Sequence, residues 1–226
     1  MAYQKIINGG LALGYGSKYQ LLRMLGWHRD DFNSKVKKAL NMENNIHWYD
    51  FKYDKACDKE LLNLEFIPEL DEEWKQYWAC GRGGVNWDAV GVTGDGTYIL
   101  VEAKAHLSEM KNSAACKGKS LANNTAKIAK FIEKHKINAK AEEWLNDYYQ
   151  LANRLVIADF LQTKGCKVKL LYVLFENGYE FNCSKKDSAK KDDWNAEIER
   201  ELNAMKIKGT TAENLLNWCI INSKPE

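Results

Sequence analysis

Two spacings of apolar residues take turns along this chain: steps of three and four, which mark helices, and short alternating or unbroken runs, which mark strands. The first helical pattern covers residues 18–25, with Ser17 as N-cap and Gly26 as the stop, and a second covers 29–40. Residues 44–79 are aromatic and acidic with mixed periodicity, and only 71–77 reads as helix. Two strand-type runs follow, at 85–92 and 97–104, joined by a Gly-rich turn. After a loop at 112–120, helical patterns resume over 121–136 and 138–164. In the second of these Trp144, Tyr148, Leu151, Leu155 and Ala158 recur at helical steps and Gly165 supplies the stop. Residues 168–175 are almost unbroken apolar, as in a strand covered on both faces. Asn177-Gly178 predicts a tight turn into Tyr179-Glu180-Phe181. Asp192 or Asp193 then caps a helix whose inner face is Trp194, Ile198, Leu202 and Met205, and the stretch to Ile221 is amphipathic without a definite type.

This order predicts an α/β fold with a mixed central β-sheet flanked by α-helices. With no internal repeat or linker, residues 1–226 read as a single domain, with a core at about 15–180 and a C-terminal helical extension at about 185–226.

The strand pattern carries one anomaly. Asp88, Glu102 and Lys104 sit inside or at the ends of apolar strand runs, where charge is costly unless compensated. An acid-x-Lys tripeptide occurs elsewhere, at Asp50/Lys52, Glu73/Lys75 and Glu109/Lys111, but only Glu102/Lys104 ends an apolar β-type run. Strand side chains alternate, so Ile99, Val101 and Ala103 face one way, while Tyr98, Leu100, Glu102 and Lys104 face the other. The turn decides whether Asp88 joins them. A two-residue Asp95-Gly96 loop sets Asp88 opposite Ala103, whereas a three-residue Gly94-Asp95-Gly96 loop sets it opposite Glu102, on the shared face. Gly96 suits the left-handed last position of the longer loop. Two carboxylates and an amine gathered there can bind a hard divalent cation and orient a water.

Composition changes the picture in three places. The 226-residue chain has a formal net charge of only +2, but from Lys104 to Lys140 nine lysines face two glutamates, while residues 54–75 are net acidic. A basic segment directly after the charged strand suits a polyanion, and a solvated lysine face is the plain alternative. No apolar run approaches the roughly 20 residues that span a bilayer, and the first ten residues carry no signal-type apolar segment, so a cytoplasmic location is expected. Six scattered cysteines without a Cys-x-x-Cys pair read as reduced thiols, and the four histidines show no zinc-ligand spacing.

Gly84-Val85-Asn86-Trp87-Asp88 followed by Ile99-Leu100-Val101-Glu102-Ala103-Lys104 resembles the core motif of the PD-(D/E)xK, or restriction-endonuclease-like, nuclease superfamily. The resemblance implies a restriction-endonuclease-like core and a metal-dependent nuclease of restriction or defence type that cuts DNA phosphodiesters. It also implies catalytic roles for Asp88, Glu102 and Lys104. Asp88, Glu102 and the Ala103 carbonyl would bind Mg²⁺, with Mn²⁺ able to substitute, and Lys104 would orient the attacking water. Trp87 stands where many members have Pro, and the first helix lacks the acid many members carry there, which leaves the ion count open and Glu109 as a substitute ligand. Some exonuclease branches place a Gln and, four residues on, a Tyr; here Gln150 is followed by Arg154. Candidate substrate contacts are His106, Lys111, Lys117, Lys119, Gln150 and Arg154, with DNA as partner and a homodimer left open. The competing readings are an inactive nucleic-acid-binding module on the same fold, and a protein-interaction domain in which the Asp/Glu/Lys group is a buried ion-pair cluster.

Overall fold

Tyr98–Lys104 forms the strand on which the molecule is organised. In the computed structural model, which describes residues 16–49, 60–78, 84–178 and 189–223, this strand (β5) lies at the centre of a five-stranded sheet. The sheet runs β1 (Ile46–Trp48), β4 (Ala89–Thr93), β5, β6 (Val168–Glu176) and β7 (Leu216–Asn222). The first three strands pair antiparallel, and β5, β6 and β7 pair parallel, so the sheet is mixed. Parallel neighbours need crossovers. One is built from α4 (Gly118–Lys134), α5 (Ala141–Asp147) and α6 (Tyr149–Thr163), and the other from α7 (Lys191–Ala204).

The alternation of β5 assigns its two faces. Ile99, Val101 and Ala103 pack with Leu171, Val173 and Phe175 under α1 (Gly16–Trp27) and α2 (Arg29–Leu40). Leu100, Leu170, Tyr172 and Leu174 face the other way, under α3 (Pro68–Tyr77) and α4 to α7. β6 is buried along nearly its whole length, as its unbroken apolar run predicts, and α6 is buried almost all round.

Four expectations need correction. The first helix runs from Gly16 through Trp27, so Ser17 lies inside it and Gly26 does not stop it. The pattern over 138–164 is two helices, broken at Tyr148. There the Asn112 carbonyl accepts from the Tyr149 N–H at 3.1 Å, and the Asn112 side-chain oxygen takes the Gln150 N–H. A tertiary partner thus satisfies the donors that a continuous helix would have used internally. The helix expected from Asp192 or Asp193 starts at Lys191, with the Asp193 carboxylate accepting from the Lys190 N–H at 2.8 Å. Finally, the C-terminal segment is not only helical, because β7 joins the central sheet beside β6. The expected turn into Tyr179-Glu180-Phe181 lies outside the described residues, although Asn177 is left-handed at φ 53°.

The hairpin register is that of the longer loop. Ala89 pairs with Val101 and Val92 with Tyr98, and the Thr93 N–H donates to the Thr97 carbonyl at 3.0 Å. Gly94-Asp95-Gly96 therefore forms the turn, with Gly96 at φ 78°. Gly91 lies opposite Trp48, and a Cβ there would come within 2.8 Å of the Ile46 Cγ2 and 2.9 Å of the Trp48 Cε3. Gly91→Ala is expected to destabilise the fold by about 1–3 kcal/mol. Urea denaturation checks this, and an unchanged midpoint would refute it.

Candidate functional site

Asp88 sits where the chain changes sheets. β3 (Asn86–Trp87) pairs with β2 (Leu61–Leu62) in a separate two-stranded sheet, and one residue later β4 begins in the main sheet. Asn63 anchors the first side of this step, accepting from the Val85 N–H at 3.0 Å through its side chain and from the Trp87 indole at 2.9 Å through its carbonyl. On the far side the Asp88 N–H donates to the Val101 carbonyl at 3.1 Å. The Asp88 Oδ2 then accepts the Ala103 N–H at 2.7 Å, taking the place of the next backbone acceptor. In a strand the N–H and C=O of one residue point to the same edge, so the Ala103 carbonyl is directed to the edge that meets Asp88.

The β4–β5 ladder ends with Ala89 opposite Val101, and Asp88, just outside it, still donates to the Val101 carbonyl, which shifts it out of the position opposite Glu102 that a continued ladder would give. Glu102 and Lys104 are 3% and 6% exposed, under α6. The Lys104 ammonium donates to Glu102 Oε1 at 2.7 Å and to Gln150 Oε1 at 2.8 Å, while the Gln150 amide donates to Glu102 Oε1 at 2.6 Å. Arg154, one helical turn beyond Gln150, donates to Glu102 Oε2 from Nε at 2.9 Å and lies 2.8 Å from it at Nη2. The same guanidinium reaches the Asn86 carbonyl at 2.5 Å and the Asn153 Oδ1 at 2.7 Å, and lies over the Trp87 ring at 4.7 Å. Arg154 thus joins α6 to β3, just before Asp88, and to Glu102 on β5.

The electrostatics follow from this packing. Burial and the neighbouring Glu102 charge push the Asp88 carboxyl up to about 7, against the opposing pull of Lys104 and the Ala103 N–H. The residue keeps partial exposure, but its carboxyl group is enclosed by protein. Burial works against the Glu102 charge too, yet the charges of Lys104 and Arg154 outweigh it and hold that carboxyl below its ordinary range. For Lys104, burial opposes the charge, and Glu102 and Asp88 reverse the outcome, raising the ammonium.

Gln150 and Arg154, expected as substrate contacts, instead bond to Glu102 directly. His106 turns toward the short helical turn Leu107–Glu109, 2.8 Å from Glu109 and 2.6 Å from the Ser108 hydroxyl. Glu109, the substitute ligand, is thereby engaged with His106 and takes the Ala105 N–H at 3.3 Å. Lys111, Lys117 and Lys119 are exposed on the approach to α4, outside the hydrogen-bonded cluster.

Sequence reading missed three contributors. Asn112 holds the Gln150 side chain at 3.3 Å as well as its N–H, a long-range contact with no local signal. Tyr172 lies beside Glu102 on β6, and its buried hydroxyl has no hydrogen-bond partner among the described residues. Glu201, on α7, is 1% exposed, and burial with the adjacent Glu197 charge pushes it up to about 8. Its signal was present: Trp194, Ile198, Glu201 and Met205 step by four, three and four, placing Glu201 in the apolar stripe.

Among the described residues no group of three or more His, Cys, Asp or Glu side chains is gathered to hold a metal. The donor set still fits Mg²⁺, which commonly takes one or two carboxylates and completes its shell with water and phosphate. Asp88, Glu102 and the Ala103 carbonyl are all hard oxygen donors, and a cation would offset both the burial and the Glu102 charge that raise Asp88. A groove of about 820 Å³ between α4 and α5, lined by Leu121, Thr125 and Ile132, includes none of the cluster residues. No described helix is long and apolar enough to cross a membrane. In comparisons with family models, curated proteins and solved structures, nothing matches this chain.

Proposed function

We propose that this chain is a Mg²⁺-dependent nuclease with a restriction-endonuclease-like core, hydrolysing DNA phosphodiesters as an endonuclease of restriction or defence type. The observation that carries the reading is that Asp88 Oδ2 accepts the Ala103 N–H, which sets one acid against the strand that bears Glu102 and Lys104. The exposed lysines 111, 117 and 119 support it, since they give a polyanion a basic approach beyond the same strand. Asp88, Glu102 and the Ala103 carbonyl would hold the ion, with Mn²⁺ as an alternative. The ion would supply Lewis acidity and a water of lowered pKa. Lys104, restrained by Gln150, would hold the attacking water or a phosphate oxygen through its ammonium protons.

A second reading has its own observation. Glu102 is fully paired with Lys104, Gln150 and Arg154, which is what a buried structural cluster looks like in a binding module without hydrolytic activity. Incubation of plasmid and single-stranded DNA with Mg²⁺ or Mn²⁺ separates the two. The nuclease reading expects cleavage that falls at least about a hundredfold in Asp88→Asn and Lys104→Met, with folding preserved by circular dichroism. Wild-type protein that binds DNA but cuts neither form would establish the second reading.

A further inference from the structure

Both oxygens of Glu102 are engaged. Lys104 and Gln150 donate to Oε1, and Arg154 donates to Oε2 from Nε with its Nη2 at 2.8 Å. A divalent ion that reaches Oε2 meets the guanidinium already seated there. The donor best placed to leave is Arg154. Its guanidinium fork fits a phosphate as well as a carboxylate. It also keeps three anchors that do not involve Glu102: the Asn86 carbonyl, the Asn153 side chain and the Trp87 ring. A small rotation can move its N–H pair off Glu102 without freeing the side chain from the site.

The surroundings make that move conditional. Glu102 and Arg154 are both buried, and either one left unpaired is strongly unfavourable. Arg154 therefore leaves Glu102 most readily when another anion receives it, and an arriving cation restores the charge that Glu102, still held by Lys104, loses at Oε2. Resting on the nuclease reading, we propose that Arg154 is an exchangeable internal counter-ion of Glu102, a positioning residue that couples divalent-cation binding to phosphodiester binding. The nucleic-acid backbone draws the guanidinium onto a phosphate oxygen, and Glu102 Oε2 becomes available to the ion. Linkage then runs both ways: each ligand tightens the other.

Calorimetric titration of Mg²⁺ into the full chain tests this, alone and with cleavage-resistant phosphorothioate DNA, duplex in one arm and single-stranded in another. The wild-type dissociation constant for Mg²⁺ is expected to fall at least about tenfold when one of these DNAs is present. Arg154→Gln is expected to bind Mg²⁺ alone about tenfold more tightly than wild type and to gain nothing further from DNA. A residue with a merely structural role would only weaken Mg²⁺ binding when replaced. Arg154→Lys keeps a charge beside Glu102 if the Gln variant does not fold, and its affinity for Mg²⁺ alone should lie between the two. Equal wild-type Mg²⁺ affinity with and without both DNAs overturns the coupling, as does weaker Mg²⁺ binding by folded Arg154 variants. Either result leaves the nuclease reading standing if cleavage persists. Absence of Mg²⁺ binding in wild type and variants alike removes the nuclease reading and this proposal with it.

Discussion

Glu102→Ala is expected to lower the unfolding free energy by about 3–5 kcal/mol. Removing the carboxylate leaves the Lys104 ammonium and the Arg154 guanidinium buried without their shared counter-charge, since both are less than a tenth exposed. The loss comes from the stranded cations rather than from the ion pairs as such, because a buried pair roughly balances desolvation against attraction. A triple replacement, Glu102→Leu with Lys104→Met and Arg154→Met, should therefore recover most of the loss. Exposed pairs such as Lys35–Asp31 offer the contrast and are worth about 0–1 kcal/mol. Urea denaturation of the single and triple variants measures both effects. A loss below about 1 kcal/mol for Glu102→Ala would mean that water reaches the cluster and that its pairing is not structural.

The second large effect is in pH dependence. Burial and the Glu197 charge hold the Glu201 carboxyl up at about 8, against an ordinary value of 4.5, and its Oε2 lacks a hydrogen-bond partner among the described residues. The folded state keeps this proton across that window while the unfolded chain gives it up. Stability from this group is fully present below the ordinary value and is lost as pH rises toward about 8. Integrated over that window, the loss is on the order of 5 kcal/mol. Asp88, raised to about 7, adds to the same trend, whereas Glu102, held low, loses its contribution only as pH falls through its own depressed value. Glu201→Gln removes this titration. It is expected to match wild type near about pH 4 and to exceed it by several kcal/mol near about pH 9. Denaturation curves at both ends of the range decide the matter, and parallel pH profiles for the two proteins would show that Glu201 ionises freely in the fold.

Much of this architecture was legible beforehand because its signals are local. The alternation over Tyr98–Lys104 named the two faces of β5 without reference to any other segment, and the apolar run at 168–175 announced a strand covered twice. The position of Gly96, a residue free to adopt positive φ, selected the three-residue loop and with it the register of Ala89 against Val101. The misplaced boundaries share a cause. Gly26 carries a helical penalty of only about 1 kcal/mol, which the packing of Leu21, Met24 and Leu25 against the sheet overrides. The break at Tyr148 depends on Asn112, more than thirty residues away, and no local pattern contains it.

The candidate site divides along the same line. The sequence by itself determined that Glu102 and Lys104 share a face of β5, because pleating is short-range geometry. Where Asp88 stands relative to them depended on the step between the two sheets. Only the tertiary structure decided how these charges are neutralised, because Gln150, Arg154 and Glu201 arrive on helices from distant parts of the chain. Whether a buried carboxylate ends up low like Glu102 or high like Glu201 depends on the charges packed within a few ångströms of it, and long-range packing alone brings those charges there.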